Sequence, residues 1–128
     1  MDMAKVLLID DDEEYVAALS CMLTHHGFTV TTAHDGQVGI ALAQAEIPDL
    51  ILLDNMMSTD LEGIETARMM HRDPLLKDIP VIMITATRQM MDLPFALQPA
   101  DDWLPVKAVL EKPVKADELI AIIKKYLN

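Results

Sequence analysis

Apolar residues along this chain fall into short solid runs separated by stretches with helical spacing. Val6-Leu7-Leu8-Ile9, Leu50-Ile51-Leu52-Leu53 and Val81-Ile82-Met83-Ile84 are apolar at every position. Runs of that length, without alternation, predict strands covered on both faces, as in a parallel sheet. The reading along the chain is strand 5–10, then helix 14–25 carrying Val16, Leu19 and Leu23, with Gly27 as its left-handed terminator. Residues 28–33 are rich in β-formers and alternate, which predicts a strand with one wetter face. Asp35-Gly36 reads as a turn, 38–45 as an Ala-rich helix, 49–54 as a strand, 55–62 as a loop and 63–71 as a helix. Ile79-Pro80 introduces strand 81–85. Beyond it, 88–97 reads as a helix that Pro94 confines or kinks, and 98–107, with two prolines and two aspartates, as a loop. A short strand at 109–111 precedes the amphipathic helix 115–127, with Leu119, Ile122, Ile123 and Tyr126 on its inner face.

Five β-α units imply an α/β three-layer sandwich, a parallel sheet covered by helices on both faces. Right-handed crossovers leave few topologies, and the flavodoxin-like (βα)5 arrangement with strand order 2-1-3-4-5 is the one expected. The 128 residues are read as one domain, 1–128, long enough for a substantial core, and a hydrophobic content of 52% supports a folded globule. A formal net charge of -11 argues against a nucleic-acid-binding surface. It fits a protein that holds cations or meets a basic partner face. Cys21 stands alone and is expected to be a buried structural thiol beside Leu19 and Leu23. No apolar run is long enough to span a bilayer, and no signal-peptide core precedes the first strand, so a cytoplasmic protein without a membrane partner is expected.

The ends of the apolar runs carry the chemistry. The first ends in Asp10-Asp11-Asp12, the second in Asp54, the third in Thr85, and Val109-Leu110-Glu111 ends in Lys112-Pro113. With strands 1 and 3 adjacent at the switch point, Asp10, Asp11 and Asp54 share a crevice. Two carboxylates ~4 Å apart repel by roughly 4 kcal/mol at an effective dielectric near 20, so such a crevice wants a cation. Mg²⁺ suits an all-oxygen set, with Asp11 and Asp54 as direct ligands and Asp10 acting through water. Asp54, at the end of the central strand, is the candidate nucleophile for an acyl phosphate. Lys112 and Thr85 supply an ammonium and a hydroxyl for the phosphoryl oxygens. Taken singly these residues have ordinary readings: a helix cap for Asp11 or Asp12, a surface lysine, a strand threonine. Their convergence on one sheet edge overrides those readings.

In these four motifs, taken in order, the chain resembles the receiver domain of two-component response regulators. The resemblance rests on residues 6–12, on Pro48 through Asp54, on Ile79 through Ala86 and on Leu110 through Pro113. It implies that Asp54 is the phosphoacceptor, Asp10 and Asp11 the acidic pair, Thr85 the switch hydroxyl and Lys112 the phosphate contact. It further implies that the backbone carbonyl of Met56 completes the Mg²⁺ shell and that the Lys112-Pro113 bond is cis. The implied partners are a sensor histidine kinase or phosphotransfer protein upstream and a downstream target protein. With no output domain after Asn128 in this sequence, the signal is expected to pass by protein–protein binding; the chain reads equally as a domain excised from a larger protein.

Three departures from the family pattern stand out. Ser58 follows Met57 where a proline is usual, and Gly63 comes one residue later than the pattern places it. The stretch between Thr85 and Lys112 is longer, the excess falling in 98–107 beside the expected output face. Val109 occupies the position of the usual aromatic reporter, leaving Trp103 as a candidate substitute. Met56 and Thr87 flank the expected phosphoryl position and offer no carboxylate or amide to orient water, which implies a long-lived aspartyl phosphate. Other classes fit less well. A haloacid-dehalogenase-type hydrolase wants an acid where Met56 stands, and a flavodoxin phosphate loop does not tolerate three carboxylates. An interaction module that switches by binding alone remains the main rival.

Overall fold

A computed structural model describes residues 4–54, 62–86, 105–112 and 114–127. The segment holding Met56, Thr87, the expected helix 88–97, Trp103 with most of the 98–107 loop, and Pro113 lie outside the described residues. The described elements run β1 (Lys5–Ile9), α1 (Glu13–His25), β2 (Thr29–Ala33), α2 (Gly36–Glu46), β3 (Leu50–Asp54), α3 (Glu62–Arg72), β4 (Val81–Ala86), β5 (Ala108–Lys112) and α4 (Ala116–Tyr126). The strands form one parallel sheet in the order β2-β1-β3-β4-β5, as the alternation of elements predicts.

Because successive strand side chains point to opposite faces, each apolar run feeds two cores at once. Leu7, Ile9, Ile51, Leu53, Val81 and Met83 lie in one cluster with Ile64, Ala67 and Met70 of α3. Val6, Leu8, Leu50, Leu52, Ile82 and Ile84 lie in the other, with Leu19 and Leu23 of α1 and Leu119, Ile120 and Ile123 of α4. Leu50, Ile51, Leu52 and Leu53 of the central strand are all 0% exposed, which is why that run shows no polar position.

Helix ends explain most of the remaining boundaries. Asp12 caps α1, its Oδ1 accepting from Tyr15 N at 3.2 Å, and Glu13 and Glu14 face the positive end of the helix dipole. Gly27 adopts φ 93, the left-handed turn that sends the chain from α1 into β2. Asp35 caps α2 by accepting from Val38 N at 2.8 Å, so Asp35-Gly36 opens a helix and is not a free turn. At the other end of α2, Ile47 takes φ 46, a conformation that costs a β-branched residue about 1–2 kcal/mol.

One packing expectation is corrected. Cys21 is exposed. The buried stripe of α1 runs through Leu19 and Leu23, and Cys21 sits about 200° around the helix from Leu19. On α4 the fully covered residues are Leu119, Ile120 and Ile123, while Ile122 and Tyr126 are half-buried at the margin of the cluster. Among the described residues, no helix is long and apolar enough to cross a membrane.

Candidate functional site

Strand register decides which side chains meet at the carboxyl edge. Ile9 is level with Leu53, so Asp10 and Asp54, the next residues, end neighbouring strands at the same height. By alternation Asp10 continues the row of Val6 and Leu8, Asp54 that of Leu50 and Leu52, and Lys112 that of Ala108 and Leu110. All three therefore stand on the face covered by α1 and α4. Thr85 is 0% exposed and follows Ile84, the register partner of Asp54.

Oxygens of Asp10, Asp11 and Asp54 lie within 4.8 Å of one another. Asp10 and Asp54 are 3% and 5% exposed, whereas Asp11 stands at the rim. Lys112 Nζ is 3.4 Å from Asp10 Oδ2 and 3.6 Å from Asp54 Oδ1, bridging the two buried carboxylates. The Asp10 backbone N–H donates to Ala33 O at 3.0 Å, and its Oδ1 accepts from Asp12 N at 3.0 Å. That second bond ties the site to the start of α1, because Asp12 is also the helix cap. Asp12 thus takes the capping part, leaving Asp11 to the carboxylate cluster.

The electrostatics follow from this crowding. Burial, then the neighbouring charge of Asp10, raises the Asp11 pKa above the ordinary carboxylate value, despite an opposing backbone hydrogen bond. For Lys112, burial disfavours the ammonium, but Asp54 and Asp10 together outweigh it and the pKa is raised. The group stays charged. Burial likewise raises the phenol of Tyr15 against the opposing effect of Lys112, so its ring is neutral at physiological pH.

Three carboxylates against one ammonium leave two negative charges in excess. An all-oxygen set with that excess fits a hard divalent cation, which would offset the negative charge crowded there. The structure thus brings together Asp10, Asp11, Asp54 and Lys112, with Thr85 at the adjoining strand end. Val109 lies mid-strand, level with Met83, half-buried against the cluster of α3.

Two neighbours escaped the sequence reading. Glu62, at the start of α3, adds to the negative field on Asp11. Tyr15 places its ring 4.3 Å from Lys112 Nζ. A partial signal existed for Tyr15: once Asp12 is the cap, Tyr15 falls in the first turn of α1, beside the strand ends.

Residues 6–124 match the family model for the response regulator receiver domain. The chain is 39% identical over 127 residues to the transcriptional regulatory protein CpxR of Escherichia coli strain K12, covering 98% of this chain and 50% of that protein. It is 35% identical over 126 residues to protein PilH of Pseudomonas aeruginosa PAO1, covering 98% of each. The chain therefore spans about half the length of CpxR and nearly all of PilH. Among solved structures, the chemotaxis response regulator CheY4 of Vibrio cholerae superposes with a TM-score of 0.77 at 23% identity, over 98% of this chain and 99% of that one. The receiver domain of sensor histidine kinase PA1611 from Pseudomonas aeruginosa PAO1, solved with a magnesium ion coordinated in the active site cleft, gives 0.81 at 24% identity over 98% of both.

Proposed function

Because the chain belongs to the response regulator receiver domain family, we propose that Asp54 accepts a phosphoryl group from the phosphohistidine of a sensor histidine kinase or phosphotransfer protein. One observation carries this reading: the mutual approach of the Asp10, Asp11 and Asp54 oxygens beside the Lys112 ammonium. An Asp54 carboxylate oxygen attacks phosphorus, the P–N bond breaks, and the imidazole departs with the electron pair of that bond. The product is an acyl phosphate on Asp54.

Asp11 and Asp54, with Asp10 through water and the Met56 carbonyl, would hold Mg²⁺. When bound, Mg²⁺ supplies positive charge for the phosphoryl oxygens and offsets the excess of the carboxylates. Lys112, already beside Asp54, meets a second part of that charge, and the Thr85 hydroxyl donates to a phosphoryl oxygen. Asp10 holds Lys112 in place and, through Asp12, fixes the site to α1. Low-dielectric surroundings strengthen each of these contacts.

The whole chain, 1–128, acts in this reading as one cytoplasmic receiver unit, a signalling protein that promotes only its own phosphorylation and dephosphorylation. The added charge on Asp54 draws Thr85 and the segment after it toward the phosphoryl group. The face of β4, β5 and the segment between them, including Val109 and Trp103, then changes its affinity for a target protein. Incubation with phosphoramidate or acetyl phosphate and Mg²⁺ tests this by intact mass. Uptake of one phosphoryl group is expected, absent from Asp54→Ala and absent without Mg²⁺. An unchanged mass in the native chain would favour the rival module that switches by binding alone.

A further inference from the structure

Lys112 is bracketed on three sides. Asp10 Oδ2 is 3.4 Å away, Asp54 Oδ1 is 3.6 Å away, and the Tyr15 ring centroid is 4.3 Å away. We propose that Tyr15 is the positioning residue for Lys112, the contact that keeps the ammonium aimed into the site when its two carboxylate partners turn to other tasks. The inference rests on the phosphoacceptor reading of Asp54.

The lysine ammonium is a point charge on a flexible stem, and it holds one direction only when something fixes it. Asp10 and Asp54 fix it in the resting site. Both are also members of the carboxylate cluster that suits a cation, and Asp54 is the group to be modified. Their hold on Lys112 weakens during the very step in which its direction matters. The face of an aromatic ring attracts a cation through its quadrupole, which neither metal binding nor phosphorylation consumes.

Tyr15 is built to stay where it is. Its backbone N–H donates to the Asp12 cap, and its half-buried ring packs at the margin of the cluster that contains Val6, Leu8 and Leu19. Asp12 also bonds Asp10, so the ring and the first carboxylate share one anchor.

The test uses the full chain with Tyr15→Phe, which keeps the ring face, and Tyr15→Leu, which removes it. Without any phosphodonor, the Lys112 ε-methylene protons should show an upfield ring-current shift in the native chain and in Tyr15→Phe, and lose it in Tyr15→Leu. With saturating phosphoramidate and Mg²⁺, the maximal phosphorylation rate of Tyr15→Leu should fall about fivefold, the equivalent of one cation–π contact of about 1 kcal/mol. Tyr15→Phe should stay within about twofold of the native rate. Mg²⁺ affinity by calorimetry should be the same in all three. Tyr15→Met carries the same expectation should the leucine variant not fold.

Equal loss in Tyr15→Phe and Tyr15→Leu would assign the effect to the hydroxyl and overturn the proposal. So would an unchanged rate in Tyr15→Leu, or a parallel fall in Mg²⁺ affinity. A native chain that takes up no phosphoryl group is a different result: it sinks the phosphoacceptor reading itself, and this inference with it.

Discussion

Leu52 and Asp54 stand two residues apart on β3, share a face of the sheet and are almost equally buried, at 0% and 5% exposure. Their physics is opposite. Leu52 gains by leaving water, and every neighbour it meets in the cluster gains with it. Asp54 leaves water only against a desolvation cost, which Lys112 offsets in part and which the oxygens of Asp10 and Asp11 aggravate. The centre of the sheet is self-sufficient; its carboxyl edge gathers three carboxylates that could hold a metal ion. A receiver site is therefore a place where the fold holds unfavourable groups together, and the apolar centre stabilises the whole against that cost.

The largest effect should come from the centre. Leu52→Ala removes apolar contacts from a fully buried position, and should lower stability by about 2–5 kcal/mol in urea denaturation. A loss under about 1 kcal/mol would break the contrast at its stronger end. Next comes Gly39→Ala. An added Cβ would overlap Cδ1 and Cγ1 of Ile9, itself 0% exposed, where α2 crosses β1. Helix propensity alone favours alanine by about 1 kcal/mol, yet overpacking should make the protein about 1–3 kcal/mol less stable. Calorimetric melting decides the sign.

At the edge the effects are smaller and conditional. Mg²⁺ at ten times its Kd should stabilise the native chain by about 1.4 kcal/mol, read as a rise in Tm. The rise should vanish in Asp54→Ala; an equal rise in that variant would place the cation elsewhere. The smallest effect belongs to Asp11→Asn. The folded pKa of Asp11 is raised, so the native state binds its proton more tightly than the unfolded chain does. Stability from this group consequently falls as pH rises from the ordinary carboxylate value through the raised one, and the penalty is fully present above it. In the absence of divalent cations, Asp11→Asn should therefore gain less than about 0.5 kcal/mol at neutral pH, and nothing in acid below the ordinary carboxylate range. A gain that persists in acid would show that charge is not its cause.

The fold was legible because its signals are local. Solid runs such as Val81-Ile82-Met83-Ile84 mean burial on both faces, and Gly27 marks where the first helix ends. The misreadings share a cause as well. Asp35-Gly36 carries the composition of a turn, but the Asp35 side chain closes onto Val38 N and starts a helix. Residue type places Cys21 inside, whereas its angular position on α1 puts it in water. Ile47 gives no sign in sequence of its left-handed backbone, because connection geometry and not propensity imposes it.

By itself the sequence determined the order of elements, the apolar character of each strand, and the charged or hydroxyl-bearing residue that ends four of them. Those are properties of single segments, written in periodicity and residue type. Only the tertiary structure decided that Asp10 and Asp54 end level on adjacent strands, that three acids come within 4.8 Å, and that Tyr15 lies 4.3 Å from Lys112. Such distances join residues far apart in the chain. They are set by register and helix docking, which no single segment encodes, and an ångström there separates a carboxylate cluster that could hold a metal from three unrelated surface charges.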